Sequence, residues 1–200
     1  MNAHLVGVCT SEKSVFNADH FDLTPLCIKN NIPVINVKDI NSKKSIHWIR
    51  SKEPDIIFCF GWSYLLKKEL LNIPPMGILG FHPAELPKNR GRHPLIWALI
   101  LGLKQTASTF YFMDDSADGG DILSQHEIPI LDSDNAKNLY QKMISVSLKQ
   151  IEFFLPDLVS GNFVRTPQDN SKASYWRKRS FDDGKIDWRM TASSINNLVR

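Results

Sequence analysis

The residue types best suited to chemistry in this 200-residue chain fall between Gly77 and Leu123. His82 directly follows the apolar run Ile78-Leu79-Gly80-Phe81 and precedes Pro83-Ala84-Glu85-Leu86-Pro87, a loop stiffened by two prolines. Imidazole ionises near neutral pH, so a histidine at a strand end can take up and release a proton there. Taken alone, His82 also fits a strand-end histidine bonded to a backbone carbonyl. The second element is Asp114-Asp115-Ser116-Ala117-Asp118-Gly119-Gly120-Asp121, four carboxylates with two adjacent glycines. Asp114, Asp115 and Asp121 read as a solvated acidic turn, and the oxygen spacing does not follow that of a calcium loop. Asp118 stands apart because Gly119-Gly120 can take positive φ and pack closely against another segment or a ligand.

Ligands of open α/β sheets sit at the carboxyl ends of strands, so the neighbouring elements must supply such a sheet. The run His4 to Cys9 reads as a strand, Leu23 to Ile32 as a short helix ending before Pro33, and Pro33 to Val37 as a second strand. Asn41-Ser42 begin a helix that gives way at Pro54 to the strand Asp55 to Phe60. A helix from Ser63 to about Leu71, a strand Gly77 to Phe81 and an all-round apolar helix Pro94 to Leu101 follow. Ala107 to Met113 and Asp121 to Ile130 read as a strand pair, and Asp134 opens a long helix stopped by Ser160-Gly161. The fold class expected is α/β: an open, mostly parallel Rossmann-like sheet with helices on both faces and a short C-terminal arm. Residues 1–165 read as a catalytic core and 166–200 as a linker or arm. Such folds open with a strand and helix before the unit seen here, so the core is expected to lack that first unit, with the natural protein longer at its N-terminus or another segment filling the central slot.

A formal net charge of +3 from 24 basic and 21 acidic residues is too balanced for a general nucleic-acid binder. Cys9, Cys27 and Cys59 lack metal-ligand spacing and read as reduced thiols of a cytoplasmic protein. No apolar run approaches the roughly 18 residues of a membrane span. A dinucleotide-binding oxidoreductase would share the β-α-β rhythm, but Gly-x-Gly-x-x-Gly does not follow the first strand.

The stretch Gly77 to Ile130 resembles the core of the formyltetrahydrofolate-dependent formyltransferases, which include sugar N-formyltransferases and methionyl-tRNA formyltransferase. The resemblance is carried by Gly80-Phe81-His82-Pro83, Leu86-Pro87, Arg90-Gly91, the helix Pro94 to Leu101 and Asp118-Gly119-Gly120. Tyr175 to Trp188 resembles the arm leading to the C-terminal domain of such enzymes. The resemblance implies formyl transfer from 10-formyltetrahydrofolate, as co-substrate, to a primary amine. His82 would then move protons and support an oxyanion, and Asp118 would orient His82. The chemistry asks for no metal. The resemblance also places the pterin against the loop after β-strand residue Phe60, with Phe60, Gly61, Trp62 and Leu65, and against Asp114, Asp115, Ala117 and Gly119. One residue departs from the family pattern: Gly80 stands where the family carries an asparagine two residues before the histidine. Asn89 from the neighbouring loop, or a water held over Gly80, is expected to fill that space, although Asn89 also fits an ordinary turn.

A nucleotide-linked amino sugar is the expected acceptor, as a small-molecule substrate with no nucleic-acid or membrane partner and with a homodimer open. Between Thr10 and Thr24 only Lys13 is basic besides His20, whereas transfer-RNA enzymes are expected to carry a basic loop there. Trp176 fits either stacking on a base or sugar, or packing of the arm. Methionyl-tRNA formyl transfer and a catalytically silent folate- or sugar-binding module are the alternatives.

Overall fold

The structure, a computed structural model, describes residues 3–13, 20–62 and 64–200. The chain divides into two units, Met1–Phe58 with Trp62–Ile78, and Cys59–Gly61 with Leu79–Arg200. In the first, β1 (Val8–Thr10) pairs in parallel with β2 (Val34–Asn36), and α1 (Thr24–Lys29) connects them. Pro25 lies in the first turn of α1, where its missing N–H has no helical partner to lose. Ser42 caps α2 (Lys43–Arg50), its Oγ accepting from the Ser45 N–H at 3.3 Å, as the Asn41-Ser42 reading requires. β3 (Ile57–Cys59) and α3 (Lys68–Leu71) follow. The start expected for α3, Ser63, lies outside the described residues. The helix itself is delayed to Lys68 because Asn41 engages the backbone before it, donating to the Leu65 carbonyl at 3.0 Å and accepting from the Lys67 N–H at 2.7 Å.

The second unit is built on β4 (Ile78–His82), β6 (Gln105–Phe112) and β7 (Ile122–Pro129), neighbours in that order in one sheet. β4 and β6 run antiparallel, and β6 and β7 form the expected antiparallel pair. Between β4 and β6 lie the short β5 (Arg90–Gly91) and α4 (Pro94–Ile100). α4 has Pro94 in its first turn, but only part of its apolar surface is covered: Ala98 and Leu99 are buried while Ile96 and Leu101 are exposed. The long helix α5 (Ala136–Ser160) starts two residues later than its sequence suggests. Asn135 caps it by accepting from the Asn138 N–H at 2.9 Å, and Gly161 ends it in a left-handed conformation at φ 75°. Ala98, Leu99, Ile128, Ile130, Leu139 and Met143 bring α4, β7 and α5 into one core cluster. Burial of each larger side chain there contributes about 1.5–3 kcal/mol.

The segment expected to be an arm is paired into this unit. β8 (Tyr175–Trp176) lies parallel to β5, with Arg90 opposite Tyr175 and Gly91 opposite Trp176. α6 (Ala192–Val199), capped by Thr191 Oγ1 accepting from the Ser194 N–H at 3.1 Å, packs against α4. Among the described residues no helix is long and apolar enough to cross a membrane.

Candidate active site

His82 ends β4 and is 5% exposed. Its Nε2 lies 2.9 Å from the Asn89 carbonyl oxygen. A carbonyl can only accept, so Nε2 carries the hydrogen, and in the neutral ring Nδ1 holds a free lone pair. That lone pair faces Asp118: Nδ1 is 3.7 Å from Asp118 Oδ2, near enough for an ion pair and longer than a hydrogen bond. One nitrogen is committed to backbone and the other is turned to a carboxylate.

The loop that supplies the carbonyl is held at both ends. Ala84 N–H donates to the His82 carbonyl at 2.9 Å, and Asn89 adopts φ 63°, a left-handed conformation that asparagine tolerates. Asn89 N–H donates to Ser174 Oγ at 2.9 Å, and the Asn89 side-chain oxygen accepts from the same hydroxyl at 3.4 Å. Asn89 thus meets His82 through its backbone carbonyl, and its side chain is turned to Ser174, not to the space over Gly80 where the sequence reading put its amide. The space over Gly80 is likewise not left for Asn89 or a water. A Cβ placed there would stand 2.8 Å from Met113 Cγ and 3.0 Å from Tyr111 Cε1, because those two side chains cover the glycine.

Asp118 sits at φ 55° in the turn between β6 and β7. Its Oδ2 accepts from the Gly91 N–H and its Oδ1 from the Tyr111 hydroxyl, both at 2.8 Å. Burial, the Asp118 charge and the bond to it push the Tyr111 phenol far above its ordinary range, so it stays a donor. The close approach of the turn needs glycine at 120, where a Cβ would fall 1.8 Å from the Phe112 carbonyl oxygen. Gln168 secures the turn from behind. Its Nε2 donates to the Asp118 carbonyl at 2.9 Å and the Gly120 carbonyl at 2.7 Å. Its Oε1 accepts from Arg90 Nη2 at 2.8 Å and Nε at 3.2 Å. Arg90, only 2% exposed, completes its set with Asn170 Oδ1 at 2.8 Å and the Tyr175 hydroxyl at 2.9 Å. Buried guanidinium is costly unless its donors are met, and these neutral oxygens take four of its five N–H groups.

The other sequence-derived residues fall in both units. Phe60 packs edge-on against Phe81 and Phe110, at ring distances of 6.4 and 5.6 Å, and retains an exposed side. Gly61 takes φ 65° with open space where a side chain would be. Trp62 and Leu65 belong to the first unit, where Leu65 is exposed and the Trp62 indole packs near Tyr64. Asp114 closes its own turn by accepting from the Ser116 N–H at 2.8 Å, Asp115 and Ala117 are exposed, and Gly119 approaches Ser116 and Arg90. Burial pushes the Cys9 and Cys59 thiols up to about 11, so neither is a thiolate nucleophile at neutral pH. Reasoning from sequence passed over Tyr111 and Gln168. Period-2 alternation along β6 could have placed Tyr111 on the same face as the strand end. Gln168 had no such signal, lying in a polar stretch after Thr166-Pro167.

Residues 2–151 match the family described as formyl transferase. The chain is 38% identical over 173 residues to the bifunctional polymyxin resistance protein ArnA of Wigglesworthia glossinidia brevipalpis, covering 86% of this chain and 26% of that protein. It therefore spans about a quarter of the length of that relative. A sugar N-formyltransferase from Shewanella sp FDAARGOS_354 superposes with a TM-score of 0.71 at 25% identity, covering 90% of this chain and 71% of that one. An N-formyltransferase from Helicobacter canadensis, solved with folinic acid and dTDP-3-aminofucose, superposes with a TM-score of 0.75 at 21% identity, over 95% of this chain and 67% of that one. At that identity the likeness speaks to fold.

Proposed function

We propose that this chain, which belongs to the formyl transferase family, moves a formyl group from 10-formyltetrahydrofolate to the primary amine of a nucleotide-linked amino sugar. The observation that carries the reading is the His82 ring, with Nε2 committed to Asn89 and Nδ1 facing Asp118 at 3.7 Å. An attacking amine must lose a proton and the departing nitrogen must gain one. A buried imidazole with one free nitrogen can hold that proton, and the adjacent carboxylate stabilises the cation while it does so. Asp118 is pre-set for this by Gly91 and Tyr111, so little reorganisation is needed when charge develops.

The folate supplies the formyl carbon on its N10 nitrogen. Within the second unit, the exposed side of Phe60, the open backbone at Gly61 and the exposed residues Asp114 to Ala117 suit a flat heteroaromatic ring with a hydrogen-bonding edge. The acceptor class rests on the relatives with sugar substrates in their names and on the charge around α4. The His93 imidazole is held below its ordinary value by burial and then by Arg92, Lys178 and Arg179, a concentration of cations that suits a diphosphate. Trp176, by contrast, stacks on Trp97 at 6.5 Å and packs against the core, which favours its structural reading over ligand stacking.

The test is to incubate the protein with 10-formyltetrahydrofolate and a panel of dTDP- and UDP-linked amino sugars, following formyl addition by mass spectrometry. Formylation of methionyl-tRNA in place of any sugar would replace the acceptor class. Folate binding with no turnover on either would leave a silent binding module.

A further inference from the structure

Antiparallel pairing of β4 with β6 sets Gly80 opposite Tyr111 and His82 opposite Thr109. Side chains alternate along strands, so Gly80, His82, Thr109 and Tyr111 share one face while Leu79, Phe81, Phe110 and Phe112 take the other. The register of β6 against β7 shifts between Phe110 and Tyr111, an irregularity of the kind that re-aims a side chain. The phenol ring lies over Gly80, with Cε1 and Cζ each 3.0 Å from where a Cβ would be, so any larger residue at 80 would compete with it for space. From that position the hydroxyl reaches Asp118 Oδ1 at 2.8 Å, while the Gly91 N–H holds Oδ2 at 2.8 Å. Anchors on both oxygens fix the rotation of the carboxylate plane. Oδ2 is thereby kept 3.7 Å from His82 Nδ1.

We propose that Tyr111 is a positioning residue whose hydroxyl, admitted by the absence of a side chain at Gly80, sets the Asp118 carboxylate toward Nδ1 of His82, the nitrogen left free to take up a proton. Its kinetic consequence rests on the formyl-transfer reading, and its geometric consequence does not. Tyr111→Phe keeps the ring and removes only the donor. Loss of one hydrogen bond to a charged group is expected to lower kcat about 10- to 100-fold, with KM for folate and acceptor within about twofold of wild type. Gly80→Ala crowds the Tyr111 ring at 3.0 Å, together with Met113 Cγ at 2.8 Å, without touching Asp118, so the double variant should be no slower than the slower single variant. The 15N resonance of His82 Nδ1 should move in both single variants.

Unchanged kcat in Tyr111→Phe, a loss confined to KM, or multiplying losses in the double variant would each overturn the assignment. Should wild type formylate no acceptor, the formyl-transfer reading falls, and the His82 Nδ1 resonance still decides. A shift on Tyr111→Phe upholds the positioning role, and an unmoved resonance refutes it. If Gly80→Ala fails to fold, Tyr111→Phe carries the test by itself.

Discussion

Replacing Asp118 by asparagine removes one charge and almost no volume, which separates the electrostatic part of the site from its packing. Two donors address the carboxylate, the Gly91 N–H and the Tyr111 hydroxyl, both at 2.8 Å. In Asp118→Asn the amide oxygen can keep the Gly91 N–H, and the amide nitrogen can donate to a Tyr111 hydroxyl turned the other way. What disappears is the charge-assisted share of each bond, about 1 kcal/mol apiece, so the fold should lose about 2 kcal/mol. The effect on turnover should be larger. At an effective dielectric constant of about 20, an imidazolium and a carboxylate separated by 3.7 Å attract by about 4 kcal/mol. Each step of about 1.4 kcal/mol is tenfold in rate, so the attraction corresponds to roughly a thousandfold. Asp118 retains some solvent contact, and screening brings the expected loss to about 100- to 1000-fold. Single-turnover formylation, followed by mass spectrometry, and urea denaturation of the same preparations would measure the two effects separately. A rate within about fivefold of wild type, alongside the predicted loss of stability, would refute the electrostatic role and leave Asp118 as a fastener of the turn.

His82→Ala should reduce turnover by roughly 100- to 10,000-fold while folate affinity, measured by titration, stays within a few-fold; a matching collapse of both would point to a structural histidine. Gly91→Ala should destabilise the chain by about 2 kcal/mol or more, because Gly91 has φ 104° and a Cβ there would meet the Trp176 carbonyl oxygen at 2.3 Å. An unchanged urea midpoint would contradict the pairing of β5 with β8. Asp134 tests the pH dependence of the fold. Its carboxyl is held below its ordinary 3.8, first by the Lys142 ammonium at 2.5 Å and also by the Leu131 N–H. A folded value depressed in this way means stability present above 3.8 and lost as pH falls toward the folded value. The thermal midpoints of wild type and Asp134→Asn should therefore differ at neutral pH and converge in acid, and a gap independent of pH would contradict the assignment.

Much of this molecule is legible in its order of residues because local rules act over short distances. Ser42 and Gly161 mark helix ends where they stand in the sequence, since capping involves only residues three or four apart. The apolar runs Ile78-Leu79-Gly80-Phe81 and Ala107 to Met113 locate strands by composition alone, and His82 and Asp118 stand out by their places at a strand end and before two glycines, although only the family resemblance implies that they act together. Which atoms meet could not be read this way. That Asn89 presents its carbonyl to His82, instead of its amide, depends on the left-handed turn at φ 63° and on Ser174, 85 residues further along. The covering of Gly80 by Tyr111 depends on antiparallel register across the sheet. Gln168 reaches the Asp118 turn because Thr166 bridges to Ile122 of β7 on one side and β8 pairs with β5 on the other, which together hold the polar segment between them onto the unit. Hydrogen bonds are decided over about 3 Å, and the residues that make them here are brought to that distance by strand pairing between segments far apart in the chain. The sequence determined which groups could do the chemistry; tertiary pairing decided which of them touch.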